Sequence, residues 1–155
     1  MTKAQVILVA VFLFSASFSQ ARTIEQDNAV KILKAAAKNS KGDKSAIFSR
    51  MAQTLDRTAL AMAPNGRNFS QCRPNVLSFM AHGSPYRIIY VCQHLIAQPS
   101  IVISQTLIHE TAHLIGYTND CDATRLEIEA MVKSGEPQYY ENLYVERCGL
   151  KQRRK

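Results

Sequence analysis

Two histidines and a glutamate stand close together in the stretch Thr106-Leu107-Ile108-His109-Glu110-Thr111-Ala112-His113-Leu114-Ile115-Gly116. On a helix, positions i and i+4 lie one turn apart on the same face. His109 and His113 therefore aim two imidazoles at one point, the spacing a zinc ion needs from a pair of nitrogen ligands. Glu110 lies one residue round, where its carboxylate can reach the open side of such an ion. There it can serve as general base on a water that the zinc activates. If the histidines were incidental members of a buried helix, two polar rings and a carboxylate would need other partners in an apolar setting. The spacing points to zinc.

The elements around this stretch have readable signals. Pro99 and Ser100 mark a helix start, Ile101, Val102, Leu107, Ile108, Leu114 and Ile115 supply an apolar surface, and Gly116 suits a helix stop. Upstream, Thr23-Ile24-Glu25-Gln26 fits a capping box, and Ala29, Val30, Ile32, Leu33, Ala36 and Ala37 carry a helix to about Asn39. After the turn Ser40 to Asp43, the spacing of Ile47, Phe48, Met51, Leu55 and Leu60 predicts a second helix from Lys44 to about Met62, ended by Pro64-Asn65-Gly66. Asn75 to Ala81 and Tyr86 to Cys92 read as two strands joined by His82-Gly83-Ser84-Pro85. Downstream, Ala123, Leu126, Ile128, Ala130, Met131 and Val132 predict a helix to about Lys133, broken by Ser134 to Pro137. A short last helix is expected over Gln138 to Arg147. His82 and His94 read as surface or core histidines rather than as ligands.

The first residues carry an address. Lys3 precedes the apolar run Ala4 to Phe14, and small residues lead to Ser19-Gln20-Ala21. This is the pattern of a secretory signal peptide cleaved after Ala21, and the run is too short for a transmembrane anchor. Residues 22–155 then suit a single domain. Cys72, Cys92, Cys121 and Cys148 form an even set without a C-x-x-C pair, which in an exported domain favours two disulfides over a zinc knot. The pairs Cys72–Cys92 and Cys121–Cys148 are preferred because each closes a local unit. The net charge of +7 owes much to Arg147, Lys151, Arg153, Arg154 and Lys155. Without interleaved aromatics, this end reads as a solvated, disordered tail over 150–155 and not as a nucleic-acid surface.

A catalytic zinc takes three protein ligands and keeps one position open. In the pattern H-E-x-x-H-x-x-G-x-x-H the third histidine would fall at position 119, which is Asn119, so the chain departs from the metzincins. Carboxylates follow at Asp120, Asp122, Glu127 and Glu129. Asp120 and Asp122 lie just past the Gly116 turn, where a chain reversal can return them to the ion. Glu127 or Glu129 would instead act from a following helix, as in gluzincins. The order of preference is Asp120, Asp122, then Glu127.

From Tyr86 to about Asp122 the chain resembles the aspzincins, the group of deuterolysin and lysine-specific metalloendopeptidases. The likeness runs through Ile88-Ile89-Tyr90-Val91-Cys92, the stretch Thr106 to His113, and Thr118-Asn119-Asp120, which is similar to the end of the family's G-T-x-D signature. The resemblance implies His109, His113 and Asp120 as ligands and Glu110 as catalytic base. Tyr117 stands where that signature has glycine, and no Y-G follows Asp120. Candidates for the family's transition-state tyrosine are therefore Tyr117, Tyr139, Tyr140 and Tyr144.

The expectations are then an α+β, zincin-like fold, mainly helical with a small β-sheet and the H-E-x-x-H helix at its centre. The expected activity is that of a secreted or periplasmic, monomeric zinc metallopeptidase acting on protein or peptide. Neither nucleic-acid binding nor stable membrane insertion is expected. Two alternatives differ in class or substrate: a non-catalytic exported zinc-binding domain, and a hydrolase of peptidoglycan peptides.

Overall fold

A computed structural model describes residues 22–63, 72, 78–80, 87–139 and 147–150. The segment 1–21 expected to be a signal peptide, the expected strand-joining turn, residues 140–146 of the expected last helix with Tyr140 and Tyr144, and the end 151–155 lie outside the described residues.

The architecture is α+β. In chain order come α1 (Ile24–Lys38), α2 (Asp43–Asp56), β1 (Ala59–Met62), β2 (Ser78–Met80), β3 (Ile88–Val91), α3 (Gln93–Ile96), α4 (Ser100–Leu114) and α5 (Asp120–Ser134). The four long helices share one core. Leu33 of α1, Phe48, Met51 and Leu55 of α2, Leu107 and Ile108 of α4, and Met131 of α5 are all fully buried there. Alanines at 29, 36, 52, 112, 123 and 130 are buried among them and let the backbones approach closely. Each large side chain in such a packed interior contributes about 2–5 kcal/mol against truncation to alanine.

Local chemistry explains most of the helix ends. Thr23 caps α1 by accepting from the Gln26 backbone N–H at 3.1 Å. The reciprocal half of the expected capping box is absent. The Gln26 side chain instead turns inward and its amide donates to the carbonyls of Leu55 (2.8 Å) and Thr58 (2.9 Å). Those carbonyls sit at and just past the C-terminus of α2, where the helix leaves acceptors without an intrahelical donor. The side chain thus ties the start of α1 to the end of α2.

The second helix is shorter than the sequence predicts. It stops at Asp56, and Ala59–Met62 form a strand. Ala59-Leu60-Ala61-Met62 has helical composition, but its backbone groups find partners in β3. The strands pair in parallel from Ala59↔Ile88 to Met62↔Val91, and the Ala63 N–H donates to the Val91 carbonyl at 2.9 Å. Tertiary pairing overrides local propensity here. β2 pairs with β3 antiparallel, from Ser78↔Val91 to Met80↔Ile89, so the sheet order is β1-β3-β2. The β-branched strand Ile88–Val91 is central, with Ile89 fully buried, and β2 lies at an edge beside α4.

Two disulfides complete the frame. Cys72 bonds to Cys92, which follows β3, and Cys121 in the first turn of α5 bonds to Cys148. Such bonds fit an oxidising compartment. Among the described residues no helix is long and apolar enough to cross a membrane.

The Gln26 tether gives a stability test. Gln26→Ala removes the donor that serves two buried carbonyls and should lower the unfolding free energy by about 1–3 kcal/mol. Thr23→Ala should cost about 1 kcal/mol. Urea denaturation with the disulfides intact measures both, and a neutral Gln26→Ala would mean that water or the backbone replaces the tether.

Candidate metal centre

The site is built by a helix, a turn and the next helix. Pro99 precedes α4 and occupies its N-cap position, and Gly116 ends it with φ +113°, a conformation that side chains with a Cβ rarely adopt. The Tyr117 N–H donates to the Ala112 carbonyl at 3.1 Å and the Gly116 N–H to the His113 carbonyl at 3.0 Å. This paired arrangement is a Schellman motif, and it reverses the chain. Asn119 then caps α5, its side chain accepting from the Cys121 N–H at 2.8 Å. Asp120, just past the Gly116 turn, is thus at the first position of α5. The helix N-terminus favours its negative charge.

The reversal brings three donor side chains together. The Nε2 atoms of His109 and His113 are 3.1 Å apart, and Asp120 Oδ1 is 3.5 Å from His113 Nε2. One ligand atom from each of the three residues lies within 4.8 Å of the others, so the group can hold a metal ion. A tetrahedral ion with ligands at about 2.0–2.1 Å separates them by about 3.3–3.4 Å, a value that the two shorter distances bracket. Asp120 is 42% exposed and its other oxygen is 3.8 Å from Arg147, so its side chain has room to close on an ion.

The chemistry of the two rings gives a second test of fit. The Nδ1 of His113 faces the Tyr117 carbonyl, and the Nδ1 of His109 lies 2.8 Å from a carboxylate oxygen of Glu127. Both partners accept, so both Nδ1 atoms donate, and each neutral ring presents a lone pair at Nε2. With both rings neutral, two lone pairs face each other across 3.1 Å. A cation between them turns that repulsion into attraction. Burial disfavours the charged form of His109, but the hydrogen bond and charge of Glu127, followed by the charges of Glu110 and Asp120, outweigh it and hold its pKa above the usual 6.5. The negative potential that favours a proton there also favours a dication.

Glu110 lies next to the rings but is almost fully buried, and its Oε1 accepts from the Ser78 hydroxyl on β2 at 2.7 Å. The remaining carboxylates sit elsewhere. Asp122 pairs with Arg125 at 2.9 Å on the exposed side of α5, and Glu129 pairs with Lys44. Glu127 lies on the Nδ1 side of His109 and is not part of the group formed by His109, His113 and Asp120. Of the candidate tyrosines, Tyr117 packs against the core and Tyr139 is about half exposed. A surface cavity of about 460 Å³ lies toward the other end of α4, bounded by Lys31, Ser100, Ser104 and Glu136, and it holds none of the candidate ligands.

Gln105 and Ser78 escaped the sequence reading, and Glu127 entered it only as a candidate ligand. Gln105 is one helical turn before His109, and Glu127 is two turns after Asp120, so both follow from the 3.6-residue period once the ligands are known. Ser78 approaches from a distant strand and leaves no local signal. No family model matches the chain, and no curated protein or solved structure matches it.

The metal group predicts a clear asymmetry between neighbouring aspartates. Asp120→Ala should bind zinc at least tenfold more weakly than the unaltered protein, whereas Asp122→Ala, which loses only an exposed pair with Arg125, should bind it normally. Competition with a chelating dye measures both, and metal loss confined to Asp122→Ala would overturn the assignment.

Proposed function

We propose that the chain is an exported, aspzincin-like zinc metallopeptidase, in which His109, His113 and Asp120 hold the ion and Glu110 is the general base. The observation that carries this reading is the convergence of two Nε2 atoms from α4 and one carboxylate from α5, beside Glu110 of α4. Nitrogen and oxygen donors in this set suit zinc. When bound, zinc polarises a scissile carbonyl and lowers the pKa of water.

The chain's own groups supply the rest. Ser78 donates to Oε1 of Glu110, which orients the carboxylate and leaves Oε2 to carry the proton. Glu110 takes a proton from the attacking water and delivers it to the leaving amine. Among the described residues the sheet order leaves β2 as an edge next to Glu110, and an extended peptide can add to such an edge by backbone pairing. Two disulfides support export.

One observation favours the rival reading of a non-catalytic zinc-binding domain: Glu110 is only 7% exposed and already hydrogen-bonded. The two readings separate in one experiment. Glu110→Gln should keep one zinc and lose hydrolysis of a protein substrate by about 10²–10⁴-fold, the usual contribution of a general base. Normal cleavage by this variant would remove Glu110 from the mechanism. An unaltered protein that holds zinc yet cleaves neither proteins nor peptidoglycan peptides would establish the rival.

A further inference from the structure

The side chains behind the metal group form a directed chain of hydrogen bonds. Tyr139 contributes its backbone: its N–H donates to Gln105 Oε1 at 2.9 Å, and its carbonyl accepts from Gln105 Nε2 at 2.7 Å. A backbone N–H can only donate and a carbonyl can only accept, so these two contacts fix which way the Gln105 amide faces. That orientation aims Nε2 at Glu127, whose Oε1 accepts from it. The other oxygen, Oε2, accepts from His109 Nδ1 at 2.8 Å. Both linking residues are buried, Gln105 to 4% and Glu127 to 8% exposure, so water does not compete freely for these contacts.

The helices explain the alignment. Gln105 and His109 are an i, i+4 pair on α4, and Asp120 and Glu127 are an i, i+7 pair on α5. One face of α5 thus presents a candidate ligand and, two turns later, the carboxylate behind another ligand. Thr124, between them, places its hydroxyl 3.4 Å from the same Nδ1.

We propose that Glu127 is the positioning residue of the metal centre: it holds His109 in the Nδ1–H tautomer with Nε2 turned toward the ion. Gln105, locked on the Tyr139 backbone, sets the position of Glu127. The segment that follows α5 is thereby connected to metal affinity without touching the metal. This inference rests on the reading of His109 as a ligand, but its central claim concerns a ring that can be observed without any ion. Carboxylates in this position also raise the basicity of the ligating ring, and their loss costs 10–100-fold in affinity in other metal sites.

The test uses Glu127→Gln, Glu127→Ala and Gln105→Ala in the full chain with disulfides intact. Long-range ¹H–¹⁵N spectra of the metal-free protein, at a pH where the ring is neutral, should show His109 as the Nδ1–H form. Glu127→Ala should lose that preference. Zinc competition should give one equivalent bound in every variant, about 10–100-fold more weakly for Glu127→Ala, with a smaller loss for Glu127→Gln, which retains an acceptor, and for Gln105→Ala. The visible spectrum of the Co²⁺ form should keep the same coordination number throughout. An unchanged tautomer in Glu127→Ala overturns the proposal, as does unchanged zinc affinity in both Glu127 variants. Loss of a coordinating oxygen in Glu127→Ala would make Glu127 a ligand and also overturn it. Failure of the unaltered protein to bind zinc would instead defeat the metal reading, and the tautomer measurement would still stand on its own.

Discussion

A helix can carry polar side chains into a protein core only if each of them finds a partner there. Within α4 only Ser100 is exposed, yet the helix carries Ser104, Gln105, Thr106, His109, Glu110, Thr111 and His113. Each is satisfied. Ser104, Thr106 and Thr111 bond back to carbonyls of the preceding turn of α4, at Ser100, Val102 and Leu107. The others reach outward, and they set the positions of the surrounding elements. Gln105 holds the chain after α5, His109 holds α5 through Glu127, Glu110 holds β2 through Ser78, and His113 holds the turn at Tyr117. Ser104 also reaches the Glu25 carbonyl of α1 at 3.1 Å. The apolar contacts make the bundle compact, but these polar pairs fix its register.

The second constraint is the reversal between α4 and α5. A carboxylate from the next helix must be returned to within a few ångströms of His113, and Gly116 does so in a single turn. The same turn places the Tyr117 carbonyl on His113 Nδ1 and Asp120 beside Nε2, so one backbone conformation defines both sides of that ring. The Cys121–Cys148 bond then adds an outer wall. It brings Arg147 to 3.8 Å from Asp120, a half-exposed pair that is weak in energy but suited to orienting an exposed carboxylate.

How much of this was legible in the sequence depended on range. The histidine pair, the Pro99 start and the Gly116 stop are local patterns, and α4 follows from them directly. α1 was legible through Thr23, although the inward turn of Gln26 was not, because its acceptors belong to α2. The strand Ala59–Met62 was misread as helix, since four residues of helical composition are captured by β3 and nothing nearby announces it. Glu127 was weighed as a ligand because its charge and position suit one. Only the placement of His109 shows that it meets Nδ1 rather than Nε2. Residues that act on a site from a second layer are chosen by geometry, and a single sequence carries that geometry only through helical period.

Burial that fixes ligands also restricts approach, and the site resolves this unevenly. The two histidine side chains are each 12% exposed and Glu110 is less so, whereas Asp120 is the open member. Among the described residues, the exposed approach to the group is therefore from the first turn of α5, not from the α1 side, where the helices pack their apolar faces. That direction passes Asp120, Arg147 and the Cys121–Cys148 bridge. The two rings and Glu110 are held by the core, while Asp120, the exposed member of the candidate group, stands at the entrance beside a disulfide-linked segment. For the proposed metal site, a buried pair of rings with one exposed carboxylate at its mouth reconciles a pre-formed group with entry of an ion.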